Sequence, residues 1–215
     1  MKSVLTNKIL LEEGRRFCEI QTNAEHPDLL GVNDGKTVGT HLERLFFDHL
    51  SERYEFERGS SARGVDFPVL NTDLKTTSIK QPQSSCPFRS AREKIYGLGT
   101  NLLIFAYEKN DEVPNPLSFK YCAYVDKSRT GDFTTTKRLR AMIDDGANKE
   151  DVVAYLNDLR LPGDETLYNL LAEEILANIP EQGYLTVSSA LQWRLQYGRV
   201  LKLNNEVEGV VNYEW

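Results

Sequence analysis

A short stretch in the first third of the chain gathers the residues whose types and spacing suggest chemistry. Residues 64–78 have the pattern of two short extended runs joined by a turn near Asn71. In an extended run the side chains of residues i and i+2 point to the same face, so Asp73 and Lys75 are predicted to project together. If the two runs pair as a hairpin, Asp66 lies opposite them, and two carboxylates and one ammonium group converge at a sheet edge.

Such a group of side chains is sufficient to hold Mg²⁺ and to hydrolyse a phosphodiester. Mg²⁺ is a hard cation that is usually held by one or two carboxylates together with water and substrate phosphate. A lysine beside the ion can orient the attacking water and offset the negative charge that develops in the transition state. The same pattern is also typical of a solvated hairpin with a surface ion pair, so the surrounding elements have to decide between the two interpretations.

The composition is that of a globular protein with one domain, or one domain and a small appendage. The chain has 215 residues and a formal net charge of −6. This charge argues against a protein that coats nucleic acid but allows a nuclease with local basic surfaces. No apolar run approaches the ~20 residues of a membrane span, and the N-terminus lacks the pattern of a secretory signal. The three scattered cysteines favour a reducing cytoplasm and argue against structural zinc.

Apolar periodicity predicts the elements around the acidic stretch. A helix is expected over residues 6–22, and a second over residues 37–54 with Thr37 as its cap. Glu43 lies at the edge of the apolar face of this second helix. The following elements are a short strand at 54–57, the two extended runs, a short basic helix at 88–97, a strand buried on both faces at 101–107 and a further strand at 119–125.

This order of elements, with its acidic residues, resembles that of the PD-(D/E)xK nucleases, and the sequence of the segment is most similar to that of a type II restriction endonuclease. The resemblance covers residues 37–107 and implies an α/β fold with a mixed central sheet flanked by helices. It places Asp66 at the start of the second core strand and the acidic-x-lysine triplet, residues 73–75, on the third strand. Val65 stands where the family name has proline, and Asp73 stands where glutamate is often found.

The resemblance also implies how these residues would act. Asp66 and Asp73 would hold Mg²⁺, with the main-chain carbonyl of Leu74 as a further ligand, and Lys75 would position the attacking water. Glu43 on the preceding helix would support the metal or its waters. The substrate would be double-stranded DNA, cut at a specific sequence by a homodimer. A cognate DNA methyltransferase would be the genetic partner.

Beyond this core the chain is predicted to be helical. Residues 1–133 form the expected catalytic core. Residues 134–215 form a helical region with a terminal hairpin, either a winged-helix-like unit or a part of the same domain. Within that region helices are predicted at 134–145, 149–159, 164–179 and 188–197, with Asn148 as the cap of the second, and the hairpin is predicted at 199–215.

Several polar and basic side chains are predicted to contact DNA. Ser, Gln and Arg side chains read base edges in the major groove, and the predicted helix at residues 188–197 would present such side chains. Alternatively, this segment only packs against the core or forms a dimer face. The predicted contact residues are Lys80, Gln81, Gln83, Ser84, Arg89, Arg92, Lys94, Ser188, Gln192 and Arg194.

Two other functions remain open from the sequence. A repair or structure-specific nuclease of the same fold would cut branched or damaged DNA without sequence preference. A non-catalytic DNA-binding regulator would bind one sequence tightly, and its carboxylates would be ordinary surface groups. Mg²⁺-dependent cleavage into discrete fragments separates both from a restriction enzyme.

Overall fold

The computed structural model describes residues 2–59, 64–86, 90–189, 193–203 and 205–215. Its strands are β1 (Ser3–Val4), β2 (Tyr54–Glu55), β3 (Thr72–Ser78), β4 (Gln83–Ser85), β5 (Asn101–Lys109), β6 (Leu117–Val125), β7 (Thr186–Ser189), β8 (Trp193–Gln196) and β9 (Val210–Glu214). Its α-helices are α1 (Asn7–Thr22), α2 (Gly35–Ser51), α3 (Ala91–Tyr96), α4 (Phe133–Asp144), α5 (Lys149–Asp158) and α6 (Glu165–Ala177). Within these residues, no helix combines the length and the apolar character that a bilayer crossing requires.

The centre of the fold is a mixed four-stranded sheet with the strand order β3-β5-β6-β9. β3 and β5 run parallel, whereas β6 is antiparallel to both of its neighbours. A second, antiparallel sheet has the order β4-β8-β7, and β1 and β2 form a short parallel pair. The predicted α/β class with a mixed central sheet and flanking helices is therefore confirmed.

The central strand β5 carries alternate side chains into two different cores. On one face Phe105 packs against Phe17 of α1 and Phe46 of α2, with ring centroids 5.6 and 5.0 Å apart. On the other face Ile104 belongs to a second core that includes Leu195 of β8. The prediction of a strand buried on both faces is confirmed. β5 is also long enough to pair along its length with both β3 and β6.

The helix starts follow from their caps, with one correction. α2 begins earlier than predicted because its cap is Asp34, whose Oδ2 accepts the N–H of Thr37 at 2.9 Å. The Thr37 hydroxyl donates to the same carboxylate at 2.6 Å and so fixes the cap in place. Asn148 caps α5 as predicted, and its Oδ1 accepts the N–H of Asp151 at 3.0 Å.

The predicted helix over residues 188–197 is wrong, because β7 and β8 pair there as antiparallel strands; residues 190–192 of this prediction lie outside the described residues. Leu195 is buried in the core while its neighbour Arg194 lies on the opposite face, which is the period of a strand and not of a helix. The predicted terminal hairpin is also wrong. Val200–Lys202 form a single 3₁₀ turn, and β9 pairs with β6.

Strand pairing joins the C-terminal part of the chain to the part before residue 133. β9 completes the central sheet beside β6, and β8 pairs with β4. The outer edge of β9 is covered by Asn205, which lies in the left-handed region at φ 57°. Its side-chain amide accepts the N–H of Asn212 at 2.5 Å and donates to the carbonyl of Asn212 at 2.9 Å. The Asn205 side chain therefore makes the two main-chain hydrogen bonds at Asn212 that a neighbouring strand would otherwise make.

Candidate active site

β3 is an edge strand of the central sheet and carries the predicted acidic-x-lysine triplet. Asp73 and Lys75 project on the same face, as residues two apart in a strand do. Nζ of Lys75 lies 2.6 Å from Oδ2 of Asp73, and Asp73 is only 8% exposed. The predicted projection of the two side chains is confirmed, and the pair is too deeply placed for an ordinary solvated surface bridge.

Asp66 reaches the same place from a turn and not from a strand. Residues 68–71 form the turn, and Phe67 and Thr72 on either side of it exchange main-chain hydrogen bonds of 2.9 and 3.2 Å. The predicted hairpin is thus wrong in one respect, because only its second run is a strand. Asn71 takes the left-handed conformation that closes the turn, at φ 48°.

The carboxylate of Asp66 closes the edge of β3. Its Oδ2 accepts the N–H of Leu74 at 2.7 Å, and its side chain also lies close enough to that of Asp73 to raise the pKa of Asp73. Asp66, Asp73 and Lys75 therefore form one group, which we call the acidic edge. The tight turn brings these residues together within a short length of chain.

The main-chain carbonyl of Leu74 faces the same open edge. The carbonyl of Asn71 accepts a hydrogen bond from Asn101 at the start of β5, so odd-numbered residues here point their main-chain groups towards β5. The N–H of Leu74 points the other way, to Asp66. Because the N–H and C=O of one residue lie on the same side of a strand, the Leu74 carbonyl also points away from β5.

The acidic edge fits a divalent cation by the chemistry of its donor groups. Burial raises the pKa of Asp73 to about 7, the neighbouring Asp66 acts in the same direction, and Lys75 opposes them. Two touching carboxylates repel each other once both are ionised. A divalent cation bound by oxygen ligands would relieve this repulsion, so the pair is suited to such an ion.

Glu43 lies on α2 and faces the acidic edge from the side. Burial raises the pKa of Glu43, the charge of Asp66 adds to this effect, and Arg58 and Lys75 oppose it. Among the described residues, no three His, Cys, Asp or Glu side chains are grouped closely enough to hold one metal ion. Glu43 therefore stands beside the two aspartates and is not part of a single three-carboxylate cluster.

A groove of about 650 Å³ runs along the free side of β3. One wall is the N-terminal half of α2, and the other is formed by β4 and the start of β8. Three cationic side chains and one carboxylate line it: Lys36, Lys75, Arg194 and Glu43. On a chain with a net charge of −6, this groove is a local concentration of positive charge.

The structure brings some of the predicted DNA contacts to this groove and places others elsewhere. Gln81, Gln83, Ser84 and Arg194 line the groove. Lys80 lines a neighbouring cavity, and Ser188 lies on β7. Arg89 and Gln192 lie outside the described residues.

Two further predicted DNA contacts lie outside the groove lining, and the first of them, Lys94, is wrong because this side chain is buried. Lys94 is buried, and its Nζ donates to the carbonyl of Val187 at 3.1 Å, so this lysine holds β7 in place. The N–H of Val187 is bound by the carboxylate of Asp132 at 2.8 Å. Arg92 forms a bidentate ion pair with Glu174 of α6, with a shortest distance of 2.6 Å, outside the lining of the groove.

The groove lining includes residues that are absent from the predicted site residues, among them Lys36, Thr77 and Ser85. Lys36 and Ser85 line the groove directly. Thr77 joins its floor to its wall, since its Oγ1 accepts the N–H of Gln83 at 3.0 Å. For the wall that contains Ser85, a signal was available in residues 193–197, whose alternation of polar and apolar residues predicts a strand. The structure pairs this strand with residues 83–85.

Comparison with known proteins identifies a family and a relative of this chain. The family model for the type II restriction enzyme NspV matches residues 4–212. The type II restriction enzyme NspV of Nostoc sp. is 47% identical over 212 residues, which cover 97% of this chain and 96% of that protein. No solved structure matches the chain.

Proposed function

The chain belongs to the NspV family of type II restriction enzymes, and from that premise we propose that it cuts double-stranded DNA at a specific sequence in the groove beside β3. The observation that carries the proposal is the contact of Asp73 and its neighbour Asp66 with Lys75, which lines a groove with three cationic side chains. A phosphodiester is an anion, and the lining cations would attract it to the carboxylates that it must approach.

We propose Mg²⁺ as the cation of the acidic edge, held by the carboxylates of Asp66 and Asp73 and by the main-chain carbonyl of Leu74. These are hard oxygen donors, and the remaining positions would be left to water and to phosphate. When bound, the ion would lower the pKa of water and neutralise charge on the phosphate. The orientation of the Leu74 carbonyl towards the free edge supports its inclusion.

Lys75 would position the attacking water and offset charge on the phosphate. Its ion pair with Asp73 holds the ammonium group beside the carboxylates, where an incoming phosphate oxygen would also lie. Glu43 would orient water from the wall of the groove, since its carboxyl group lines the groove that also contains Lys75. These two residues thus act on the attacking water and the developing charge, while the aspartates hold the ion.

The fold assignment is also part of the proposal. An acidic residue before the strand, an acidic-x-lysine triplet on it and a glutamate on the preceding helix occur in the order of the PD-(D/E)xK nucleases. The enzyme would act as a homodimer, because two-fold symmetry suits the cutting of both strands. Its genetic partner would be a DNA methyltransferase that protects the same sequence.

Plasmid digestion tests this function. Supercoiled plasmid with the wild-type protein is expected to give discrete fragments with Mg²⁺ and none with EDTA. Asp73→Ala and Lys75→Ala are each expected to lower the cleavage rate at least about a thousandfold, because both groups act on the reacting phosphate.

Lys149→Ala is the matched control, since it removes another lysine–carboxylate pair, the 2.7 Å bridge to Glu173, outside the groove lining. Unchanged digestion by the two active-site variants would refute the site. A ladder without fixed ends, or cutting confined to branched DNA, would instead favour a structure-specific nuclease. Tight sequence-specific binding without any cutting would identify a regulator.

A further inference from the structure

The antiparallel sheet β4-β8-β7, which we call the polar sheet, has one polar and one apolar face. Directly opposed residues of neighbouring strands share a face, and so do residues two apart in one strand. On the inner face Leu195 and Val187 are buried in the core. The outer face consists of two cross-strand rows, Ser85 with Arg194 and Ser188, and Gln83 with Gln196 and Thr186.

All six outer side chains can form hydrogen bonds, whereas the opposite face of the sheet packs against the core. An antiparallel sheet with one solvated face usually has polar residues there, so polarity alone does not imply a ligand. The Gln, Ser, Thr and Arg side chains of this face are, however, of the types that pair with base edges, and three of the six line the groove that contains Lys75. Their types and their position together point to a ligand with hydrogen-bonding groups.

The outer face begins at the catalytic groove. Gln83, Ser85 and Arg194 line the groove that contains Lys75. The second row borders an adjoining cavity of about 470 Å³, which is lined by Thr186, Gln196, Gly198, Arg199, Lys202 and Leu203. This lining includes two cations and no carboxylate, so a polyanion bound at the acidic edge could continue along the sheet.

The width of the sheet limits how it can meet a duplex. Neighbouring strands are spaced by about 4.8 Å, and the major groove of B-DNA is about 12 Å wide and admits a two-stranded ribbon. Two of the three strands fit, and the third has to lie against the sugar-phosphate backbone. The pair that enters is expected to be β4 and β8, because they line the groove with Lys75.

We propose that β4 and β8 read the base pairs of the target sequence in the major groove. The reading side chains are Gln83, Ser85, Arg194 and Gln196, and those of β7, Thr186 and Ser188, contact the backbone. The planar fork of arginine matches two acceptors on one base edge, and a glutamine amide matches a donor and an acceptor together. This inference rests on the proposed function, since it requires a duplex in the groove.

The test compares cognate and altered duplexes. Sequencing of fragment ends from wild-type digestion defines the target, and duplexes with one altered base pair are then made for each position. Cleavage rates with Mg²⁺ and dissociation constants with Ca²⁺ are measured for both kinds of duplex. The readout is the ratio of these values for the cognate duplex to those for an altered duplex. A side chain with a merely structural role would leave this ratio unchanged when it is substituted.

Arg194→Lys is the decisive variant, because it keeps the positive charge and removes the planar fork. It is expected to lower the ratio about ten- to a hundredfold at one position of the target, with little change in binding to non-specific DNA. Gln196→Ala is expected to lower the ratio at a neighbouring position. Thr186→Ala and Ser188→Ala are expected to weaken binding to all duplexes alike and to leave the ratio unchanged.

Arg138→Ala, on the exposed surface of α4, is the control for loss of an arginine, and thermal unfolding checks that each variant is folded. A wild-type enzyme that cuts specifically, with ratios unchanged in Arg194→Lys and Gln196→Ala, would overturn this inference and leave the proposed function intact. Equal weakening towards every duplex would overturn it too, because that is the signature of a phosphate contact. Failure of the wild-type protein to cut any DNA would instead reject the proposed function.

Discussion

The acidic edge and the polar sheet differ in how far apart in the chain their parts lie. Asp66, Asp73 and Lys75 all fall within residues 66–75, and one turn brings them into contact. The polar sheet joins residues that are more than a hundred positions apart. Ser84 and Tyr197, for example, are separated by 113 positions, and their hydroxyl oxygens lie 2.6 Å apart.

This difference explains which parts of the protein can change independently. A local cluster depends on a few residues in sequence, so its geometry is fixed by the turn and by β3. The polar sheet depends on the packing of the whole C-terminal part, so its strands can vary in sequence while the catalytic group is retained. We expect perturbations at the two regions to separate catalysis from sequence discrimination.

The largest expected effect concerns the stability of the acidic edge without metal. Since the pKa of Asp73 is raised from 3.8 to about 7, the folded state binds a proton more tightly than the unfolded state. The contribution of this proton to the free energy of unfolding is complete below pH 3.8 and is lost as the pH rises through 7. The loss amounts to on the order of 4 kcal/mol. Asp73→Asn does not ionise and is expected to avoid this loss.

Urea unfolding in EDTA at pH 5 and pH 8 measures this effect for both proteins. The advantage of Asp73→Asn should be larger at pH 8, and Mg²⁺ should reduce it by stabilising the ionised wild-type pair. Asp158→Asn, at an exposed position of α5, serves as the control. A stability difference between the two proteins that is the same at both pH values would show that the pKa of Asp73 is not raised in the folded protein.

The next effect concerns the support of the polar sheet. The buried carboxylate of Asp132 caps α4 through the N–H of Thr135 at 2.9 Å and also binds the N–H of Val187 in β7. Asp132→Ala is expected to lower the free energy of unfolding by about 3 kcal/mol, because it removes a cap and leaves a buried donor unpaired. Sequence discrimination should fall with it.

Asp164→Ala is the matched control, since Asp164 caps α6 through a single exposed bond to the N–H of Leu167 at 2.8 Å. It should lower the free energy of unfolding by about 1 kcal/mol. Equal losses in the two variants would show that the bond from Asp132 to β7 contributes nothing to stability.

A smaller effect is expected at the wall of the groove. Glu43→Gln keeps the shape of the side chain and removes its charge. It should lower the cleavage rate about ten- to thirtyfold, as loss of a supporting group does. The dissociation constant for cognate DNA in Ca²⁺ should stay the same. A rate that falls as far as in Asp73→Ala would make Glu43 a metal ligand, and an unchanged rate would remove it from the site.

The smallest expected effect concerns the junction between the two regions. Thr77→Val has the same shape as threonine but cannot accept the hydrogen bond from the N–H of Gln83. It is expected to cost about 1 kcal/mol of stability and to lower the ratio of cognate to altered cleavage more than the cognate rate itself. A lower cognate cleavage rate with an unchanged ratio of cognate to altered cleavage would show that Thr77 supports only the acidic edge.

The sequence predicted the local features well because their causes are local. The i and i+2 spacing of Asp73 and Lys75, the cap at Asn148 and the apolar run of β5 each depend on adjacent residues. The segment 188–197 was assigned wrongly because Leu191 and Leu195 fit a helical spacing, whereas the strand is stabilised by β4, which lies far away in the chain. Lys94 shows the same limit, since its burial depends on where β7 packs.

The edges of the strands β3, β7 and β9 share one property with consequences beyond this chain. On each of them a side chain already binds the main-chain N–H that a partner strand would need: Asp66 at Leu74, Asp132 at Val187 and Asn205 at Asn212. At these positions the edges are therefore blocked against β-augmentation, which also disfavours edge-to-edge aggregation. In the proposed homodimer the two copies are then not expected to extend a sheet across these positions, and helices, loops or the duplex itself would join them.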